Sequence, residues 1–196
     1  MTVDFYQLSA LLLLAVYYAA YFIKMLLQRR KGIRTNQMGQ GDRKSARTLH
    51  IEKLLSLSTV VAVLVQVASI LLGTGRGRPG WSAVLGLIFT GAGTVFFLLA
   101  VWTMRDSWRA GIPAEGKPAL VVRGIYRVSR NPAFLGFDLT YLGVLLLFPT
   151  PVQLLSAVWG VVMIHLQILE EERYLTGAFG AEYTSYRKQT GRYLLF

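Results

Sequence analysis

Five apolar stretches separated by polar segments constrain this chain more than any other feature. They run over residues 6–27, 54–72, 83–104, 134–148 and 152–169. An α-helix needs about 20 apolar residues to cross the hydrocarbon core of a bilayer. The first three stretches have that length and the fifth is marginal. The fourth is short, which predicts a tilted or re-entrant helix.

The composition indicates that lipid is the solvent for these stretches. Hydrophobic residues make up 54% of the chain, charged residues make up 16%, and the mean hydropathy is +0.45. A soluble domain of 196 residues cannot bury that much apolar surface. Pro149 and Pro151 separate the last two stretches into a helical hairpin. We therefore predict an all-α polytopic membrane protein of about five transmembrane helices, the first a retained anchor rather than a signal peptide.

Lysine and arginine are distributed unevenly among the polar segments. Of the 21 in the chain, 19 lie near the end of the first stretch (Lys24) or in the segments that follow the first, third and fifth stretches, while only Arg76 and Arg78 lie elsewhere. Such an excess of positive charge is typical of cytosolic loops. It predicts an N-terminus outside and a C-terminus and active site in the cytosol. We interpret the net charge of +11 as a basic surface that contacts the lipid bilayer, and we expect no nucleic acid as a partner.

The sequence offers few groups for a metal ion. It has no cysteine, which excludes disulfides and thiolate metal sites. Its two histidines, His50 and His165, lack the spacing of a metal site. We therefore expect no metal.

The segment before the fourth stretch combines basic residues with a helix start. Pro132 suits the first turn of a helix, with Asn131 as its N-cap, and Gly124 can adopt a positive φ. The unpaired N–H groups of such a helix start suit an anionic or carboxylate-bearing ligand. The alternative is a capped helix whose basic residues face lipid headgroups.

Three consecutive glutamates follow the fifth stretch, from Glu170 to Glu172. Carboxylates next to an apolar span are costly unless they are solvated or paired. Because consecutive helix positions differ by about 100°, the three cannot share a face. We expect one to face headgroups, while Glu171 and Glu172 face the bundle and bind ribose hydroxyls or a cation. The alternative is a solvated helix end paired with Arg173 or Lys188.

The C-terminal tail carries an aromatic face. Tyr186 lies three positions after Tyr183, so the two side chains lie on one side of a helix, with Phe179 one turn earlier. The pattern predicts either an amphipathic helix on the membrane or a lid over a cofactor. Gly91 and Gly93 in the third stretch predict close helix packing.

Together these segments resemble the isoprenylcysteine carboxyl methyltransferase and phospholipid methyltransferase superfamily, over residues 117–194. The resemblance rests on three segments: Gly124-Ile-Tyr-Arg-Val-Ser-Arg-Asn-Pro132, the Glu171-Glu172 pair, and the run from Phe179 to Arg192. It implies an integral membrane enzyme that binds S-adenosylmethionine in a C-terminal cytosolic pocket and methylates a lipid or other membrane-soluble acceptor. The product of the cofactor would be S-adenosylhomocysteine.

The resemblance also implies which residues bind the cofactor. These are Val122, Gly124, Tyr126, Asn131, Pro132, Glu171, Glu172, Tyr183, Tyr186 and Arg192. It divides the chain into residues 1–116, with the first three helices and a basic loop, and residues 117–196, the catalytic part.

One position departs from the carboxyl methyltransferases, which have Arg-His-Pro where this chain has Arg130-Asn131-Pro132. Asn forms hydrogen bonds but cannot act as an acid or base near pH 7. The segment from Asn131 to Gly143 instead resembles phosphatidylethanolamine N-methyltransferase. The acceptor therefore stays open between an isoprenylcysteine-like carboxylate and a phospholipid amine.

The predicted catalytic residues differ in role between these acceptors. A carboxylate would need a cation, for which Arg130 and Arg173 are available, and an amine would have to lose a proton, with help from Glu171 or Glu172. Asn131 would shape the pocket. Two other functions stay open: an NADPH-dependent sterol or steroid reductase, and a non-catalytic membrane scaffold. No glycine-rich loop follows a predicted strand, which argues against a Rossmann methyltransferase.

Overall fold

The computed structural model describes residues 4–42, 44–74, 80–113 and 119–194. Its helices are α1 (Phe5–Arg30), α2 (Ala46–Leu71), α3 (Gly80–Met104), α4 (Pro132–Leu147), α5 (Pro151–Phe179) and α6 (Ala181–Gln189). Helices α1, α2, α3 and α5 are long and apolar enough to cross a membrane, and α4 is a shorter apolar helix. The predicted all-α polytopic membrane fold is confirmed.

Helices α2 and α5 extend furthest beyond their predicted apolar stretches. Helix α2 begins at Ala46, where the hydroxyl of Ser45 accepts a hydrogen bond in the first turn. Helix α5 continues to Phe179 and ends where Gly180 adopts φ +53°. Caps and glycines determine helix ends, whereas hydropathy marks only the part that suits lipid. The predicted boundaries were therefore too narrow.

Helices α3 and α4 pack backbone to backbone. A Cβ atom at Gly143 would lie 2.3 Å from Thr90 Oγ1 and 2.5 Å from the Thr90 backbone N. A Cβ atom at Gly93 would lie 2.6 Å from Gly136 O, whereas Gly91 has open space around it. The predicted close packing is confirmed for Gly93 and wrong for Gly91, which points away from α4. This contact seals one face of α4.

The loops after α1 and α3 interlock at one end of the bundle. Gln37 N donates to Ala110 O at 2.9 Å, and Ala110 N donates to Thr35 O at 3.0 Å. Beside them, the buried Glu52 forms an ion pair with Lys44 at 2.7 Å. We call this end, which also carries residues 119–131 and the tail after α5, the basic end. The predicted boundary between residues 116 and 117 lies outside the described residues.

Candidate active site

A buried ionic cluster forms where α5 leaves the bundle at the basic end. Glu172 Oε1 lies 2.7 Å from Arg130 Nη2, and Glu172 Oε2 lies 2.8 Å from Arg192 Nη2. The side chains of Glu172 and Arg130 are only 6% and 8% exposed. The hydrogen bond from Arg192 to this carboxylate raises the pKa of Arg192. Both oxygens of Glu172 are occupied, so this glutamate joins the 124–131 segment to the tail.

The tail docks on the start of α4 through its backbone carbonyls. Arg130 N donates to Gly191 O at 3.0 Å, and Arg130 Nη1 donates to Thr190 O at 2.5 Å. The side-chain amide of Asn131 donates to Arg192 O at 3.1 Å. These bonds give the C-terminal tail a defined position beside α4 and α5.

The structure corrects the prediction that the Asn131 side chain caps α4. Asn131 occupies the N-cap position, but its side chain forms no capping hydrogen bond. Asn131 Nδ2 instead donates a hydrogen bond to the backbone carbonyl of Arg192 in the tail. Pro132 lies in the first turn of α4 as predicted. An aspartate at position 131 would cap the helix but has no donor for this carbonyl.

Helix α6 turns its aromatic face inward. Tyr183 and Tyr186 are 1% and 9% exposed, with their rings 6.0 Å apart, so the predicted shared face is confirmed. Tyr186 Oη donates to Tyr126 O at 2.5 Å. Burial, and then the Glu172 carboxylate, raises the pKa of Tyr183 to about 12, so its phenol is neutral near pH 7. The tail helix packs on the 124–127 turn rather than extending over the surface.

The three consecutive glutamates have three different environments. Glu170 is buried, accepts a hydrogen bond from Thr48 Oγ1 at 2.8 Å, and pairs with Arg173 at 2.7 Å and Arg47 at 3.2 Å. The expectation that one glutamate faces headgroups is therefore wrong for Glu170. It lies about 200° around α5 from Glu172. Helix α2 supplies partners on one side and the tail supplies them on the other.

Glu171 has no cationic partner in an ion pair among the residues that the structure describes. It is half-buried and accepts one hydrogen bond, from Gln167 Nε2 at 3.1 Å. Burial, and then the nearby Glu171 carboxylate, raises the pKa of Tyr126. The Oε1 atom of Gln167 is itself buried without a partner. Glu171 and Gln167 thus present acceptor atoms on α5, and Glu171 lies near the 124–127 turn.

Two predicted cofactor residues lie toward α3 instead. Val122 is 41% exposed and lines a separate pocket of about 500 Å³ against the end of α3. Gly124 adopts φ +60°, and a Cβ atom there would lie 3.0 Å from the Thr103 side chain. The requirement for glycine at this position is therefore explained by backbone conformation and packing on α3. The predicted cation Arg173 has a 61% exposed side chain.

Sequence reasoning missed several groups near this site. Gln167 lies one turn before Glu171, and Tyr193 Oη lies 2.7 Å from His165 Nδ1. Buried amides and imidazoles in an apolar span are a signal in themselves, because unpaired polar groups are costly in lipid. No group of three metal-ligating side chains occurs in the described part of the chain.

Comparison with known proteins assigns this helical membrane fold to a class. The model of the family described as Phospholipid methyltransferase matches residues 81–182, just over half of the chain. The chain belongs to this family of membrane methyltransferases. The matched segment contains α3, α4, α5 and Glu170–Glu172, so the predicted superfamily is confirmed.

Individual relatives carry more particular names. The chain is 26% identical over 147 residues to Protein-S-isoprenylcysteine O-methyltransferase B of Arabidopsis thaliana, which covers 72% of this chain and 74% of that protein. It is 28% identical to Protein-S-isoprenylcysteine O-methyltransferase A of the same plant, over 71% of this chain and 72% of that protein. The Saccharomyces cerevisiae protein of that name is 34% identical over 80 residues, which are 39% of this chain and 33% of the relative.

Proposed function

We propose that this chain transfers a methyl group from S-adenosylmethionine to a membrane-soluble acceptor at the basic end of the bundle. Family membership and relatives named as O-methyltransferases support a methyltransferase. The observation that carries the proposal is Glu171, a carboxylate at the end of a membrane span that forms no ion pair within the described part of the chain. Its two neighbours in sequence are both fully paired. Such a group is expensive to maintain unless a ligand uses it.

The residues at this site fit the proposed cofactor. S-Adenosylmethionine carries an ammonium group, ribose hydroxyls and an electrophilic methyl carbon on a sulfonium. Glu171 and the free Oε1 of Gln167 are acceptors for such donors. Tyr126 and Tyr183 are buried aromatic groups that exclude water around them. Glu171 is thus the proposed ligand-binding carboxylate.

The ionic cluster has a different proposed role. Glu172, Arg130 and Arg192 saturate one another, and Arg130 also donates to the Thr190 carbonyl. They act as positioning residues that hold the tail and the 124–131 segment around the site. Asn131 belongs with them, because its amide binds the tail carbonyl. Because these side chains are already fixed by their partners, they lose little conformational entropy when the two reactants are aligned.

The acceptor is proposed to be either an isoprenylcysteine-like carboxylate or a phospholipid amine. The relatives' names favour the carboxylate. The structure supplies a counter-observation, because Arg130 is engaged by Glu172 and Arg173 is exposed and paired with Glu170. Neither guanidinium is free at the site to attract a carboxylate, which favours the amine.

The alternative of an NADPH-dependent reductase requires cations for a pyrophosphate and a 2′-phosphate. The arginines of the site are already paired with Glu172. We expect calorimetry on the full chain in detergent to detect S-adenosylhomocysteine binding and no NADPH binding. Binding of NADPH alone would overturn the proposal.

A Glu171→Gln variant tests the proposed binding carboxylate. It should weaken S-adenosylhomocysteine binding by about 1.5–3 kcal/mol, the range for hydrogen bonds to charged groups, or roughly one to two decades in Kd. The matched control is Glu182→Gln, which changes an exposed glutamate on α6. Equal binding by the wild type and both variants would exclude Glu171 from the site.

The orientation with the basic end in the cytosol is part of the proposal and rests on the charge asymmetry of 19 to 2. Because the chain has no cysteine, single introduced cysteines report their own position. A cysteine at the exposed Gln40 should resist a membrane-impermeant maleimide in intact cells, and one at Thr150 should react. The opposite labelling would reverse the orientation.

A further inference from the structure

Helix α4 carries a carboxyl group inside the bundle that the proposed methyl-transfer site does not use. Asp138 lies seven residues after Asn131, which places it on the same face and about 10 Å further along the helix. Its Oδ1 atom is buried and has no hydrogen-bond partner among the described residues. No lysine or arginine in the described part of the chain forms an ion pair with it.

Two tyrosines near Asp138 are also unsatisfied. Tyr17 and Tyr141 are 0% and 1% exposed, and neither hydroxyl forms a hydrogen bond of normal distance and angle with a described residue, although Thr59 lies near the Tyr141 hydroxyl. Both phenols interact electrostatically with the Asp138 carboxyl. Phe137 joins them, with its ring 5.1 Å from that of Tyr17 and 6.2 Å from that of Tyr141. We call Asp138, Tyr17 and Tyr141 the Asp138 cluster.

The cluster is connected to the basic end through the tail. Asp138 contributes, after burial, to raising the pKa of Tyr193, which places the two groups near each other. Tyr193 directly follows Arg192, whose carbonyl binds Asn131, and its hydroxyl contacts His165. A ligand at Asp138 would therefore lie close to the tail residues that flank the proposed methyl-transfer site.

The chemistry of the cluster selects a class of ligand. An ionisable side chain inside a membrane bundle is costly unless a partner satisfies it. A carboxylate flanked by aromatic rings favours an organic cation, because the carboxylate and the ring faces both attract positive charge. The hydroxyls of Tyr17 and Tyr141 add donors and acceptors without competing charge. An anionic or purely apolar ligand would leave the carboxyl unpaired.

We propose that the Asp138 cluster binds the ammonium group of the membrane-soluble acceptor. This inference rests on the proposed function and narrows its acceptor to a cationic lipid or amine. The α3 face of α4 is sealed by its glycine contacts, so the ligand enters on the opposite face. Partly buried apolar side chains, among them Phe134, Trp159 and Leu166, pack against the core cluster that contains Tyr141, and they suit a hydrocarbon tail.

The test uses octylammonium, with octanol as its neutral counterpart, titrated into the purified full chain in a non-ionic detergent. The Kd of each ligand is obtained from the thermal stabilisation that it produces. For the wild type, the Kd of octylammonium should be at least about tenfold lower than that of octanol. Asp138→Asn should abolish this preference. Asp106→Asn, which changes an exposed carboxylate paired with Lys31, should retain it. No preference in the wild type, or an unchanged preference in Asp138→Asn, would overturn the proposal.

A second arm separates the acceptor from the donor, whose sulfonium is also an organic cation. The affinity ratio of S-adenosylmethionine to S-adenosylhomocysteine should be the same in the wild type and in Asp138→Asn. A changed ratio with unchanged octylammonium binding would assign the carboxyl to the sulfonium and overturn the acceptor site. Failure of both nucleosides to bind the wild type would instead reject the proposed function, while the octylammonium comparison would still test the cluster.

A milder variant keeps the proposal testable if Asp138→Asn does not fold. Tyr141→Phe removes only a hydroxyl that forms no hydrogen bond of normal geometry with the residues that the structure describes. It should weaken octylammonium binding several-fold and leave octanol binding unchanged. Equal octylammonium affinity in Tyr141→Phe and the wild type would remove this hydroxyl from the site and contradict the proposed cluster.

Discussion

The acidic groups at the end of α5 and the one in the middle of α4 are satisfied in opposite ways. Glu170 and Glu172 are buried but carry two cationic partners each. Asp138 lies in the middle of its helix and forms no ion pair with any residue that the structure describes. Burying charge in a membrane protein is costly in both places, yet the fold compensates for it in only one.

This difference separates carboxylates that build the fold from carboxylates available to ligands. A paired glutamate contributes to stability only while both partners remain. An unpaired one contributes nothing to stability and is retained for another reason, here proposed to be ligand binding. Glu171 belongs to the second class although it lies between two members of the first. The contrast predicts opposite effects on stability when the charge is removed.

The largest effect is expected for Glu172→Gln. This change leaves Arg130 buried without a counter-charge, and breaking a buried pair costs about 3–5 kcal/mol. Unfolding in detergent, followed by circular dichroism, measures the loss. Glu182→Gln on the exposed face of α6 is the control and should lie within about 0.5 kcal/mol of wild type. A Glu172→Gln protein as stable as this control would contradict the difference between paired carboxylates that stabilise the fold and unpaired ones that do not.

A smaller loss is expected for Gly143→Ala, which tests whether the α3 face of α4 is closed. The added methyl group would lie 2.3 Å from Thr90 Oγ1 and 2.8 Å from Gly86 O. Overpacking of this kind costs about 1–3 kcal/mol. Gly91→Ala, with open space around it, should gain up to about 1 kcal/mol from helix propensity. If both variants gain stability, ligands could reach α4 from either face.

The smallest effect on folding is expected for Asp138→Asn. The amide replaces a carboxyl that has no partner, so the unfolding free energy should stay within about 0.5 kcal/mol of wild type or rise. The measurement is the same detergent unfolding series. A loss as large as that of Glu172→Gln would show that Asp138 has a structural partner, and the two regions would then be alike.

Much of the architecture follows from local patterns in the chain. The apolar stretches correspond to α1–α5, because lipid requires a helix wherever side chains are apolar over about 20 residues. Tyr183 and Tyr186 share a face because three residues make nearly one helical turn. The predicted cofactor set was only partly brought together, since Val122 lies against α3 while Tyr126 and Glu171 lie near each other.

The partners of the polar side chains could not be predicted in this way. Glu170 binds Thr48 across 122 residues of sequence, and Asn131 binds the Arg192 carbonyl across 61. An N-cap role for Asn131 was the reasonable local expectation, and a distant carbonyl displaced it. Which residue satisfies a buried charge depends on how the elements come together, and no periodicity records that.

The sequence by itself determined three properties of the chain: that it is a membrane protein, where its helices lie, and that its positive charge is concentrated at one end. These properties follow from hydropathy and composition. Only the tertiary structure decided which carboxylates are free. Glu170, Glu171 and Glu172 are chemically identical neighbours on one helix. Helix α2 supplies cations at one side of α5 and the tail supplies them at the other. Glu171 lies between them in sequence and forms no ion pair with any described residue.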